Sequence, residues 1–404
     1  MSRVLEKLQR THDTAEIWWD SSPLDFPAWR DGLLASAPDS ATRERWAGRL
    51  DRFLDPEDPG RSLVRGVTTN PSLVSASVLS GSRKWAGWLR ETGLTDPEDA
   101  FSTVYEEVLR RAANHMRPQW DATEGRYGWV SGQLDPRVMF QAQRMREQGR
   151  RFAAIAPNLM VKVPGTAQGY QVVRDLVAEG ISINGTLSYT VPQFAACVRA
   201  VEDGLVEARA AGRDLSRWRA VFTHMIGRFG ANVDLQLEAA ARGITLETRD
   251  LRWAELAILK RIHSMIRQRG LPIKLLLSSL QTDDPADGWL SAHLEQSAGA
   301  DIAYTCKPSF IAELLRREDE FGEFRPGAID DEVPDDVLRK LDRLPSFRDA
   351  YAVNGMAPAE FGQYGCFIST YAEVMQNNRA LLDFAARQAH QGDRHRTPLL
   401  AASS

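Results

Sequence analysis

Eight short apolar or β-branched runs punctuate this chain, at residues 17–20, 63–70, 129–135, 159–164, 181–188, 220–225, 273–280 and 302–306. Most are separated by segments of helical length in which apolar residues recur every three or four positions, as in 169–179, 193–211, 232–240 and 253–267. Strands that alternate with amphipathic helices pair in parallel through crossover units. Eight such units fit a closed α/β barrel, (β/α)₈, better than an open doubly wound sheet, which stays the alternative. An N-terminal amphipathic helix precedes the first run. An insertion at 23–61, rich in Pro and Asp turns around a helix, follows it. The spacing predicts a barrel over residues 1–315. From 316 to 404 it predicts an acidic, Pro-containing linker and a helical extension that packs on the barrel. The last dozen residues are small and polar and are expected to fray.

The charge balance narrows the partners. Fifty Lys and Arg stand against 54 Asp and Glu, a formal net charge of −4, without the basic excess of a nucleic-acid or anionic-membrane binder. Small phosphorylated or hydroxylated substrates need only a few local cations. Cys197, Cys306 and Cys366 are far apart and odd in number, so neither a disulfide framework nor a metal pattern is expected. The seven histidines form no ligand-spaced pair, which argues against a metal. No apolar stretch reaches the ~20 residues that span a bilayer, and the N-terminus lacks a signal-peptide core, so a cytoplasmic location is expected. The oligomeric state is left open between monomer and homodimer.

The most informative segment is Leu159-Met-Val-Lys162-Val-Pro-Gly. Alternation along a strand puts Val161 and Val163 on one face and Met160, Lys162 and Pro164 on the other, toward the barrel interior. A buried amine loses affinity for its proton, as a Schiff-base nucleophile requires; the alternative is a structural lysine paired with a carboxylate. The same alternation groups Thr68 with Asn70, Ser131 with Gln133 and Asp135, and Asn184 with Thr186 and Ser188, while Asp20 ends the first run. Catalytic groups of such barrels gather at the C-terminal ends of different strands, and inward polar residues on four strands are costly to bury without a purpose. Asp20 also reads as a turn cap before Ser-Ser-Pro. Trp18 and Trp19 face opposite ways, and core packing is the expectation for both.

Gly66-Val-Thr-Thr-Asn-Pro-Ser72 resembles the second-strand signature of the transaldolases, and Val161-Lys162-Val-Pro-Gly-Thr166 with Gly169 resembles their Schiff-base lysine segment. Glu179-Gly-Ile-Ser-Ile-Asn184-Gly-Thr186 is similar to the next strand of that family, and Ile226-Gly-Arg228 to a phosphate-binding arginine segment. The likeness spans roughly residues 15 to 310. It implies a metal-free, cofactor-free enzyme that moves a dihydroxyacetone unit from a ketose (phosphate) to an aldose (phosphate). By the same resemblance Lys162 forms the imine, Asp20 transfers protons, Asn70 and Asn184 hold the hydroxyls of the bound unit, and Thr186 holds a proton-relaying water. Thr68, Ser131, Thr223 and Arg228 complete the implied binding set.

Three positions depart from that pattern. Gln133 stands where transaldolases usually carry glutamate, and a neutral amide takes no proton; related single-step aldolases carry glutamine there. Met225 replaces an aromatic or tyrosine. Gln281 stands where a second phosphate-binding arginine is expected, a loss for which Lys307 either compensates or, as a solvated rim lysine, does not. A single-step Schiff-base aldolase, and a barrel that binds sugar without catalysis, therefore remain alternatives to transfer.

Overall fold

In the computed structural model, which describes residues 3–55, 58 and 62–396, eight parallel strands close into one barrel in chain order. They are β1 (Glu16–Trp19), β2 (Val64–Thr68), β3 (Trp129–Gln133), β4 (Leu159–Pro164), β5 (Ile183–Ser188), β6 (Ala220–Met225), β7 (Ile273–Ser278) and β8 (Ile302–Cys306). The barrel closes where β1 runs beside β8, from Glu16 against Ala303 to Trp19 against Cys306. Every expected run coincides with one strand, β1 starting one residue ahead of its run. Within the insertion lie helices Phe26–Ala35 and Ser40–Leu50, while residues 56, 57 and 59–61 lie outside the described set. So does the terminal stretch 397–404, on which most of the expected fraying falls.

Four strands, β1, β2, β3 and β7, end one or two residues before their apolar runs, and at β2 and β3 the reason is local. Asn70 does not extend β2. Its side-chain oxygen accepts the Leu73 backbone N–H at 2.9 Å and caps the helix Pro71–Ser80, whose first residue has no N–H to lose. Asp135 likewise leaves β3 to accept the Arg137 N–H at 2.9 Å and to pair with that guanidinium at 2.6 Å. Both were expected on strand faces; capping chemistry removes them from the sheet.

Inside the barrel the period of two produces a change of polarity from floor to mouth. Trp18, Trp129, Met160, Val221, Leu276 and Ala303 form a closed apolar layer with Trp120. Two residues further along the same strands come Asp20, Ser131, Lys162, Thr223, Ser278 and Thr305, all buried. Trp18 is fully buried in the lower layer, and a Cβ on Gly66 would stand 2.6 Å from its ring. Trp19 points outward and packs edge-on against Phe26 and Phe53 at 5.5 and 5.8 Å. Packing is thus the role of both tryptophans.

Beyond β8 the chain forms Asp335–Leu341 and Pro345–Tyr351, then the long helix Gly365–Arg396. That last helix lies across the C-terminal end of the barrel. Its Asn377 donates to Ser72 at 2.8 Å and its Asn378 to Asp135 at 3.3 Å, while Phe367, Leu381 and Phe384 are buried beneath it. Among the described residues, no helix is long and apolar enough to cross a membrane.

Candidate active site

A cavity of about 120 Å³ sits at the C-terminal mouth of the barrel under the last helix. Asp20, Asn70, Lys162, Thr186, Thr223 and Arg228 border it, together with Ser278, Ser279, Thr305 and Lys307 and, from the helix, Thr370, Glu373 and Val374. Lys162 is 5% exposed, and its ammonium finds one weak acceptor, the Thr69 carbonyl at 3.4 Å. Burial therefore pushes its pKa down to about 8, against the opposing attraction of Asp20. The backbone around it is fixed by packing. Thr166 caps the following helix through the Gly169 N–H at 2.9 Å, and a Cβ at Gly169 would fall 1.9 Å from the Pro164 carbonyl.

Asp20 is held by its neighbours in the closed barrel. Its N–H donates to the Cys306 carbonyl at 3.0 Å, and its carboxylate accepts the Thr68 hydroxyl at 2.7 Å. Thr68 in turn lies 2.5 Å from the Thr305 hydroxyl on β8. The sequence reading missed Thr305, although alternation from Ala303 places it inward.

Asn184 pairs with Lys162 in the strand register but does not itself border the cavity. Its amide donates to Ser131 at 2.8 Å and its carbonyl accepts Thr223 at 2.8 Å, a chain crossing β3, β5 and β6. One N–H of Asn184 is left for a ligand, and Thr223 alone of the three borders the cavity. Gln133 is beside Lys162 in the strand register, is 3% exposed, and its amide nitrogen has no partner among the described residues. A buried donor of that kind costs about 1–3 kcal/mol unless something accepts from it.

At the Arg228 end of the cavity the structure places the expected residues differently. Gln281 does not border the cavity. Its carbonyl accepts from Arg252, its amide reaches the Gly227 carbonyl at 3.4 Å, and Arg252 is itself paired with Glu255 at 2.9 Å and Asp283 at 2.6 Å. The loop after β7 presents Ser278 and Ser279 instead. The Ser278 hydroxyl is buried without a partner among the described residues, and Ser279 holds a left-handed backbone, φ 60°. A non-glycine residue keeps such a backbone only where its surroundings enforce it. Arg228 reaches the cavity rim but is paired with Glu373 at 2.7 Å, a residue no strand pattern pointed to. Lys307, the N-cap of helix Pro308–Arg316, borders the same cavity with no ion-pair partner among the described residues.

A larger cavity, about 400 Å³, opens at the opposite end of the barrel. Several of its charges pair with one another, Arg219 and Lys274 both binding Glu16, at 2.5 and 3.0 Å, while Glu124, Arg126 and Arg217 line it without an ion pair among the described residues. That face of such barrels serves stability, and the mouth holding Lys162 is the candidate site.

Comparison with known proteins bears on Lys162, Asn184 and Arg228, and not on Asp20 or the last helix. The family model described as transaldolase/fructose-6-phosphate aldolase matches residues 59–354. A transaldolase of Thermobifida fusca (strain YX) is 34% identical over 182 residues, covering 44% of this chain and 49% of that protein. A transaldolase of Mycobacterium ulcerans (strain Agy99) is 32% identical over 205 residues, 50% of this chain and 53% of that protein. The chain thus spans about half the length of the curated relatives it matches.

Proposed function

The chain belongs to the transaldolase/fructose-6-phosphate aldolase family, and from that premise we propose that it transfers a dihydroxyacetone unit from a ketose or ketose phosphate to an aldose or aldose phosphate. The observation that carries the proposal is Lys162: a buried amine with a pKa near 8, on the inward face of β4, sharing its cavity with Asp20. Its neutral form would add to the ketose carbonyl and expel water, leaving a protonated imine. The Asp20 carboxylate would then take the proton of the hydroxyl two carbons from the imine carbon. The bond from that hydroxyl-bearing carbon to the carbon next to the imine breaks, its electrons moving toward the imine nitrogen to leave an enamine, and the first aldose leaves. Addition of the resulting enamine to a second aldehyde, with return of the proton from Asp20, and hydrolysis of the imine complete the transfer. Asn70, with its oxygen engaged at the helix, would offer its N–H groups to the hydroxyls of the bound unit. Asn184 has one N–H to offer.

Borohydride reduction tests this. With a ketose donor it should fix a three-carbon adduct on the wild type and none on Lys162→Met, read by intact mass; labelling of another lysine sinks the assignment. Asp20→Asn should still trap the imine yet lose turnover by about 10²–10⁴-fold, the usual contribution of a positioned acid/base. A second reading, a single-step aldolase, is favoured by Gln133, which cannot accept a proton where a glutamate would. Product analysis with and without an acceptor aldehyde separates the two.

A further inference from the structure

We propose that Glu373, on the C-terminal helix, is a specificity-determining residue of this pocket. Its carboxylate holds the anion position at Arg228, so the site takes a sugar ending in a free hydroxyl in preference to one ending in a phosphate. The inference rests on the reading of the Lys162 cavity as a sugar site and deepens it.

The charges at this end of the cavity are few. Arg228 and Lys307 are positive and Glu373 is negative, which leaves one net positive charge. A phosphate monoester carries about −1.5 to −2 near pH 7. Glu373 binds the Arg228 guanidinium at 2.7 Å and feels a weaker pull from Lys307, which is not paired with it, so the guanidinium of Arg228 already serves an internal anion. The pairing raises the basicity of Arg228 and lowers the carboxyl pKa of Glu373, each chiefly through the hydrogen bond between them.

A phosphate entering here has to eject a like charge first. A terminal hydroxyl does not, because it both donates to a carboxylate and accepts from an ammonium or guanidinium. Retreat of Glu373 is confined to its own side chain, since the helix is tied down just beyond it by Asn377 on Ser72 and Asn378 on Asp135. Among the described residues no second guanidinium compensates: Gln281 is turned onto Arg252, and Arg252 is held by Glu255 and Asp283.

The test uses the intact chain with Glu373→Gln, which keeps the shape and removes the charge. Inorganic phosphate should bind this variant about tenfold more tightly than the wild type, the discounted worth of a charged contact at a half-exposed pair. The added Arg228→Gln change should abolish that gain. With glyceraldehyde and glyceraldehyde 3-phosphate as acceptors, the ratio of kcat/KM for the phosphorylated to the free form should rise about tenfold, mainly through KM. Glu373→Asp should keep the wild-type ratio, separating charge from packing. Equal phosphate affinity in wild type and Glu373→Gln overturns the proposal. So does an unchanged acceptor ratio. Phosphate titration needs no turnover, so a chain that fails to trap an imine would sink the catalytic reading while leaving this comparison decisive.

Discussion

At Lys162 reactivity and stability oppose one another. The folded amine has a pKa of about 8 against an ordinary 10.5, so the unfolded chain holds this proton more tightly. The cost is fully present below pH 8 and fades as pH rises through 10.5, amounting to about 3 kcal/mol at neutral pH. Lys162→Met should therefore unfold at higher denaturant than wild type at pH 7, by about 1–3 kcal/mol, with the gain vanishing toward pH 10.5. Urea titrations at the two pH values check it. The same shift predicts that the rate of imine trapping rises with pH and levels above about 8, where the amine is neutral.

At the scale of the element, the helix Pro71–Ser80 carries its functional group on its own cap. The Asn70 oxygen satisfies the Leu73 N–H, and the residue borders the cavity, where on the proposed function its amide N–H groups would meet the ligand. The two roles separate by substitution. Asn70→Asp keeps the cap acceptor but loses the donors, so KM for the ketose should rise with little change in unfolding free energy. Asn70→Ala loses both and should also cost about 1 kcal/mol. If Asp and Ala variants bind the ketose as wild type does, Asn70 is a cap alone. Asp135, by contrast, spends its carboxylate on Arg137 and the last helix, although alternation had placed it with Gln133.

At the scale of the whole molecule, the barrel is tied at its floor by a buried charge as well as by hydrogen-bonded strands. Glu16 on β1 binds Arg219, just ahead of β6, and Lys274 on β7. Burial alone would raise its pKa, but the two cations outweigh burial and lower it. Its contribution is thus present above the unfolded carboxyl pKa and is lost as pH falls through the folded value. Glu16→Gln leaves two cations facing a neutral amide and should destabilise the chain by about 3–5 kcal/mol at pH 7. The difference from wild type should shrink in unfolding curves taken at successively lower acid pH. A constant difference would mean that Glu16 acts through packing.

Much of the site was legible because a strand has a fixed period of two. Once the runs around Trp18, Met160, Val221 and Ala303 are strands, the step to Asp20, Lys162, Thr223 and Thr305 follows from covalent geometry, and closure brings those positions together whatever the loops do. Where a run ends was not legible, because helix capping competes with strand pairing at Asn70 and Asp135 and local hydrogen bonds decide the outcome. The neighbours of Gln281 and Arg228 were least legible of all. Gln281 turns to an arginine 29 positions away, and Arg228 meets a glutamate 145 residues later on a helix laid across the barrel mouth. The sequence by itself determined the barrel and the inward polar ring, which rest on local periodicity. Which charges face the cavity was decided only by tertiary packing, since an ion pair depends on proximity that no spacing along the chain encodes.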